Sequence, residues 1–145
     1  MRSATDVMRT YLYDVAIGGQ LSLIDEIAAP DMVDEANVIF GGPTGRQGLV
    51  AHVRGFQKNV QNCQVEVQRI VGDELGALAW WTFNGVHCGP WLGKIETNDP
   101  VKGTVFSQFE VEDGCIQRYR LCLFAEFSDC NAIFDTSTGV GPKFL

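Results

Sequence analysis

The sequence predicts a single α+β domain, with helices gathered on one face of a curved antiparallel sheet. Three observations lead there. Apolar residues recur at helical spacing through the first third of the chain, and from about residue 62 the period changes to two. Turn signals then separate four strands that follow one another with no helix between them. There is no βαβ alternation, no GxGxxG and no GxxxxGK[ST], which argues against the common nucleotide-binding folds.

Val7, Met8, Tyr11, Leu12 and Val15 mark a first helix, stopped by Gly18-Gly19. Leu21, Ile24, Ile27 and Ala28 mark a short second one that ends near Pro30. Met32 to Phe40 has an extended pattern closing in the turn Gly41-Gly42-Pro43. Thr44-Gly45-Arg46-Gln47 has the form of a capping box and opens a third helix, with Leu49, Val53, Phe56 and Val60 on one face. Cys63, Val65 and Val67 alternate with Gln64, Glu66 and Gln68 in a half-buried strand.

Gly72-Asp73-Glu74 turns the chain into a long strand, Leu75 to Cys88. Both of its faces are apolar, Leu78 and Trp80 against Trp81 and Phe83, so both faces are expected to be covered. A second subunit on the outer face is the expected cover, making the protein a homodimer. Residues 89–103 are loop-like, and strands Thr104 to Val111 and Cys115 to Phe127 flank the turn Glu112-Asp113-Gly114. The domain is expected to span residues 1–127, with 128–145 a tail, a lid or an arm reaching a neighbouring subunit.

The chain has 145 residues, 46% of them hydrophobic, enough for a real core. The net charge of −7 comes without any basic stripe, so nucleic acid and anionic membranes are poor partners. No apolar run approaches the ~18 residues of a membrane span, and the N-terminus lacks a signal-peptide core. The five cysteines form no CxxC pair and no zinc-ligand spacing, and their odd number argues against a complete disulfide framework. A reduced, cytoplasmic protein with no metal is the simplest expectation.

The stretch Trp81-Thr82-Phe83-Asn84-Gly85-Val86-His87-Cys88-Gly89 carries the most chemistry. Alternation puts Trp81, Phe83 and His87 on one face, an ionisable imidazole in line with two large rings. Together with Gly45-Arg46-Gln47-Gly48-Leu49-Val50-Ala51-His52-Val53 and Phe109-Glu110-Val111-Glu112-Asp113-Gly114-Cys115-Ile116, it resembles the SnoaL-like polyketide cyclases of the nuclear transport factor 2-like superfamily. The resemblance runs from about residue 5 to 127. It implies a cone-shaped antiparallel sheet around an apolar pocket, a homodimer, and cofactor-free proton-transfer chemistry such as ring closure, isomerisation, dehydration or epoxide opening.

One departure stands out. The family's last-strand aspartate corresponds here to Phe124, or to Leu123 if a bulge intervenes, and neither transfers a proton. Glu126, on the face of Phe124 by period two, is the candidate displaced carboxylate. His87 and Glu126 are therefore the expected catalytic pair, with Glu35 a further carboxylate on the early strand. Trp81, Phe83 and Phe124 are expected to shape the pocket, with Gln108 or Tyr119 holding a substrate oxygen. His52 falls on the polar side of the third helix and is expected at the surface. The expected function is a cyclase or isomerase of secondary metabolism acting on a hydrophobic oxygenated polyketide- or terpenoid-derived molecule. A non-catalytic binding module of the same fold and an epoxide hydrolase are the alternatives.

Overall fold

The structure is a computed structural model that describes residues 1–145. Ser3 caps helix α1 (Ala4–Arg9) by accepting from the Asp6 amide, and the helix runs on as a π-helix over Thr10–Ile17. Its inner face, Val7, Met8, Tyr11, Leu12 and Val15, is buried throughout. Helix α2 (Ile24–Ile27) is one turn long and leads directly into strand β1 (Ala28–Asp34). Helix α3 (Glu35–Ile39) follows, then helix α4 (Arg46–Asn59).

Strands β2 (Val60–Gly72), β3 (Gly76–His87), β4 (Pro100–Glu112), β5 (Cys115–Glu126), β6 (Asn131–Asp135) and β7 (Lys143–Phe144) form an antiparallel meander in that order. The sheet is curved and not closed, and the helices fill its concave side. β1 adds to it in parallel, beside Ile116 to Tyr119 of β5. β6 occupies the same edge of β5 further along, beside Cys122 to Glu126. Leu121 falls between the two partners, and its N–H donates to Thr136 Oγ1 at 3.0 Å, so a side chain completes the edge where no strand reaches.

Three expectations change. The extended segment lies earlier than Met32 to Phe40, because the Asp34 carboxylate accepts from the Asn37 amide and starts α3 there. The capping box at Thr44 does not form: Gly45, at φ 67°, precedes α4 with no side-chain cap. Residues 128–145, which show no sequence period, extend the sheet through β6 and β7 and bury Ala132 and Phe134.

Period two sorts the sheet into two faces. Val105, Ser107 and Phe109 of β4, and Tyr119, Leu121, Leu123 and Ala125 of β5, face the helices and are buried. Gly103 lies in the same row and leaves room for Phe83, since a Cβ there would press on the Phe83 ring and the Phe124 carbonyl. The intervening residues of β3 to β5, including Leu78, Trp80, Phe106 and Phe124, face outward and are about half exposed.

Candidate active site

Between α4 and the concave face of the sheet lies a cavity of about 320 Å³, within the range of small-molecule sites. Phe56, Trp81, Trp91 and Phe134 form much of its wall. Phe56 packs edge-on to Trp81 and Phe83, and tilted against Trp91 at 5.7 Å. The turns Phe40–Pro43 and Pro90–Gly93 flank it, held in left-handed conformations at Gly41, Leu92 and Gly93. No Lys, Arg, Asp or Glu lines the cavity; its ionisable groups are His52, Tyr11 and Tyr119.

His52 is the centre of the polar part. It lies on α4 beside the apolar stripe of Leu49, Val53 and Phe56, so the helix carries it inward. Its Nδ1 is 2.7 Å from Oδ2 of Asp34, a carboxylate buried at 2% exposure. Oδ1 of the same carboxylate accepts the Asn37 N–H at 3.1 Å, so the α3 cap fixes the group that orients the imidazole. A carboxylate acceptor assigns the proton to Nδ1 and leaves Nε2 as the lone-pair nitrogen, which makes no hydrogen bond within the protein. Burial pulls the His52 pKa down, but the charge and hydrogen bond of Asp34 outweigh it, and the net shift is upward from 6.5.

The His52 ring stacks on Tyr119 at 5.4 Å and 9°, a geometry that favours the imidazolium over the electron-rich face of the phenol. The Tyr119 hydroxyl is 2.9 Å from Ser107 Oγ, which also accepts from Trp81 Nε1 at 3.0 Å. Tyr11 stands edge-on to Tyr119 at 5.6 Å. Burial pushes both phenols well above their ordinary pKa, so both remain protonated hydrogen-bond donors. An oriented base beside neutral donors in an apolar, uncharged cavity can shuttle a proton and support charge developing on an oxygen.

Of the residues singled out from the sequence, Trp81 and Tyr119 line the cavity, and Phe83 packs behind Phe56 and Trp91. The others lie elsewhere. His87 is fully buried but outside the cavity lining, packed on Phe127 at 5.0 Å. Its Nδ1 accepts the Thr97 N–H at 3.2 Å, its Nε2 has no partner, and burial lowers its pKa. Glu126 and Phe124 are on the outer face of β5, because the inward positions are Leu121, Leu123 and Ala125; Glu126 lies 3.7 Å from Lys102. Gln108 is also on the outer face. Glu35 faces away from the cavity, with Oε2 2.9 Å from both Arg118 and Arg120 and Oε1 3.0 Å from the Thr136 hydroxyl.

The structure instead brings His52, paired with Asp34, to the cavity. The signal for His52 was present: positions 49, 52, 53 and 56 follow the i, i+3, i+4, i+7 pattern of one helix face. The partnership with Asp34 was not legible, because it depends on where β1 ends.

The SnoaL-like polyketide cyclase family profile matches residues 5–123. No curated protein sequence matches the chain. Among solved structures, TsrD from Streptomyces laurentii superposes with a TM-score of 0.68 at 20% identity, over 85% of this chain and 90% of that one. IdmH from Streptomyces antibioticus gives 0.67 at 22% identity, over 84% and 92%. A SnoaL-like polyketide cyclase from Agrobacterium tumefaciens gives 0.69 at 15% identity, over 85% and 92%. At such identities these likenesses show the fold alone.

Proposed function

Because the chain belongs to the SnoaL-like polyketide cyclase family, we propose that it is a cyclase or isomerase whose proton-transfer group is His52, oriented by Asp34. The observation that carries this reading is the 2.7 Å contact between His52 Nδ1 and the buried Asp34 carboxylate, with Nε2 left free at the cavity. In this reading Nε2 removes a proton from the substrate and the resulting imidazolium stays paired with Asp34. The neighbouring Tyr11 and Tyr119 hydroxyls supply the donor for the oxygen on which charge develops. After the bond rearrangement the same Nε2–H returns its proton to carbon or oxygen, so the step is redox-neutral.

The substrate is a hydrophobic, uncharged, oxygenated molecule of polyketide or terpenoid origin. A carboxylate in this cavity would find no lysine or arginine to pair with. The reading is tested by deuterium exchange from D₂O into the α-position of uncharged β-keto ester probes, followed by mass spectrometry. Wild-type protein is expected to accelerate exchange and His52→Phe to lose about 10²-fold or more of that acceleration. Equal rates for the two proteins would remove the assignment.

A binding module of the same fold is the second reading, favoured by one observation: Leu121 and Leu123, not a carboxylate, line the cavity on β5. It predicts saturable binding of the same probes with no exchange above the solvent rate.

A further inference from the structure

Two asparagines line the cavity. Asn37 is committed, its Nδ2 donating to the Pro43 carbonyl. The carboxamide of Asn59 makes no hydrogen bond within the protein, although the residue is partly buried and its backbone is pinned. The Asn59 carbonyl accepts both the Cys88 N–H at 3.0 Å and the Gly89 N–H at 3.2 Å, joining the end of α4 to the end of β3. An idle amide, fixed at its root in the wall of a largely hydrophobic cavity, has the donor and acceptor that a neutral ligand oxygen needs.

Gly89 explains how the amide fits. A Cβ at Gly89 would collide with Oδ1 of Asn59. The φ of Gly89 lies outside the left-handed region, so this contact, not the backbone, is what calls for glycine. Thus the terminal glycine of the Trp81–Gly89 segment serves the cavity indirectly, by giving the Asn59 amide a place to lie.

Asn59 is seven residues beyond His52 on α4, on the same face and ~10 Å along the helix. Phe56 lies between them. We infer that Asn59 is a substrate-binding residue that receives a second oxygen of the substrate, at the end of the cavity opposite His52, and that Gly89 is its positioning residue. The ligand class follows: a flat, uncharged molecule carrying an oxygen at each end of an apolar body long enough to pass Phe56. The inference rests on the proposed function only for the His52 end of that molecule.

The test uses 4,4′-dihydroxybiphenyl, with a hydroxyl at each end, and 4-hydroxybiphenyl, with one, titrated calorimetrically into the intact protein. Wild type is expected to prefer the diol by about five- to tenfold, the effect of one additional neutral hydrogen bond. Asn59→Ala is expected to abolish that preference with an unchanged melting temperature, because the backbone contacts of residue 59 survive. Gly89→Ala is expected to do the same by displacing the amide, and the double variant to lose nothing further, a non-additivity that simple loosening of the turn would not give. A diol preference that survives Asn59→Ala overturns the inference, as does wild type binding both probes equally; in either case the His52 exchange result still stands by itself. Binding of neither probe overturns the two-oxygen ligand and the oxygenated-substrate reading together.

Discussion

Asp34 uses its two oxygens for different purposes, one on the Asn37 amide and one on His52. Asp34→Asn keeps a capping oxygen while removing the charge, so it separates the two roles. The charge of Asp34 is what lifts the His52 pKa against burial. If neutral His52 is the base, kcat/KM rises with pH through a pKa above 6.5, and Asp34→Asn moves that limb to lower pH while reducing the plateau. An ascending limb at the same pH in both proteins would show that His52 is not the titrating group. The stability dependence has the opposite sense. Because the folded protein holds the His52 proton more tightly, its contribution is complete below about 6.5 and fades as pH rises through the folded value. His87 behaves inversely: its lowered pKa gives a contribution that is complete above 6.5 and is lost as pH falls through the folded value.

The boundary between β1 and α3 decides where these residues go. Glu35, one position past the cap, turns away from the cavity and joins Arg118, Arg120 and Thr136 at the gap between β1 and β6. Sequence patterning made the helices and the long strands legible, because an apolar stripe of period 3.6 or 2 is a local property. It also placed Trp81, Phe83 and Tyr119 in the interior. It misplaced Phe124 and Glu126, because a one-residue difference in register exchanges the two faces of a strand, and the phase of β5 is set by its partners β4, β1 and β6. His87 was on the expected face, but lies at a strand end beyond the cavity. The seam offers its own test. Thr136→Val keeps the shape but leaves the buried Leu121 N–H without its acceptor, and is expected to cost about 1–3 kcal/mol. A melting temperature equal to wild type would show that the hydroxyl is not what closes the edge.

At the scale of the whole molecule, two surfaces carry predictions. Residues 131–145 complete one side of the sheet, and Phe134 is part of the cavity wall. Their deletion is expected to expose the edge of β5 and lower both melting temperature and probe binding. No helix is long and apolar enough to cross a membrane, yet the outer face of the sheet is strongly apolar. Trp80 and Phe106 stack there at 6.3 Å, with Leu78, Phe124 and Val71 also exposed. Arg69, Arg120 and Asp135 border the same hollow. A surface that offers an apolar centre with charges of both signs at its rim can serve as its own partner across a two-fold axis, which is why a homodimer through this face is expected. Trp80→Glu would place a charge at the centre of that contact while leaving the half-exposed site fully compatible with a folded monomer. Light scattering at micromolar concentration is expected to give twice the 16.0 kDa chain mass for wild type and the chain mass itself for the variant. Wild type that is already monomeric would show that this apolar face is not a self-association surface.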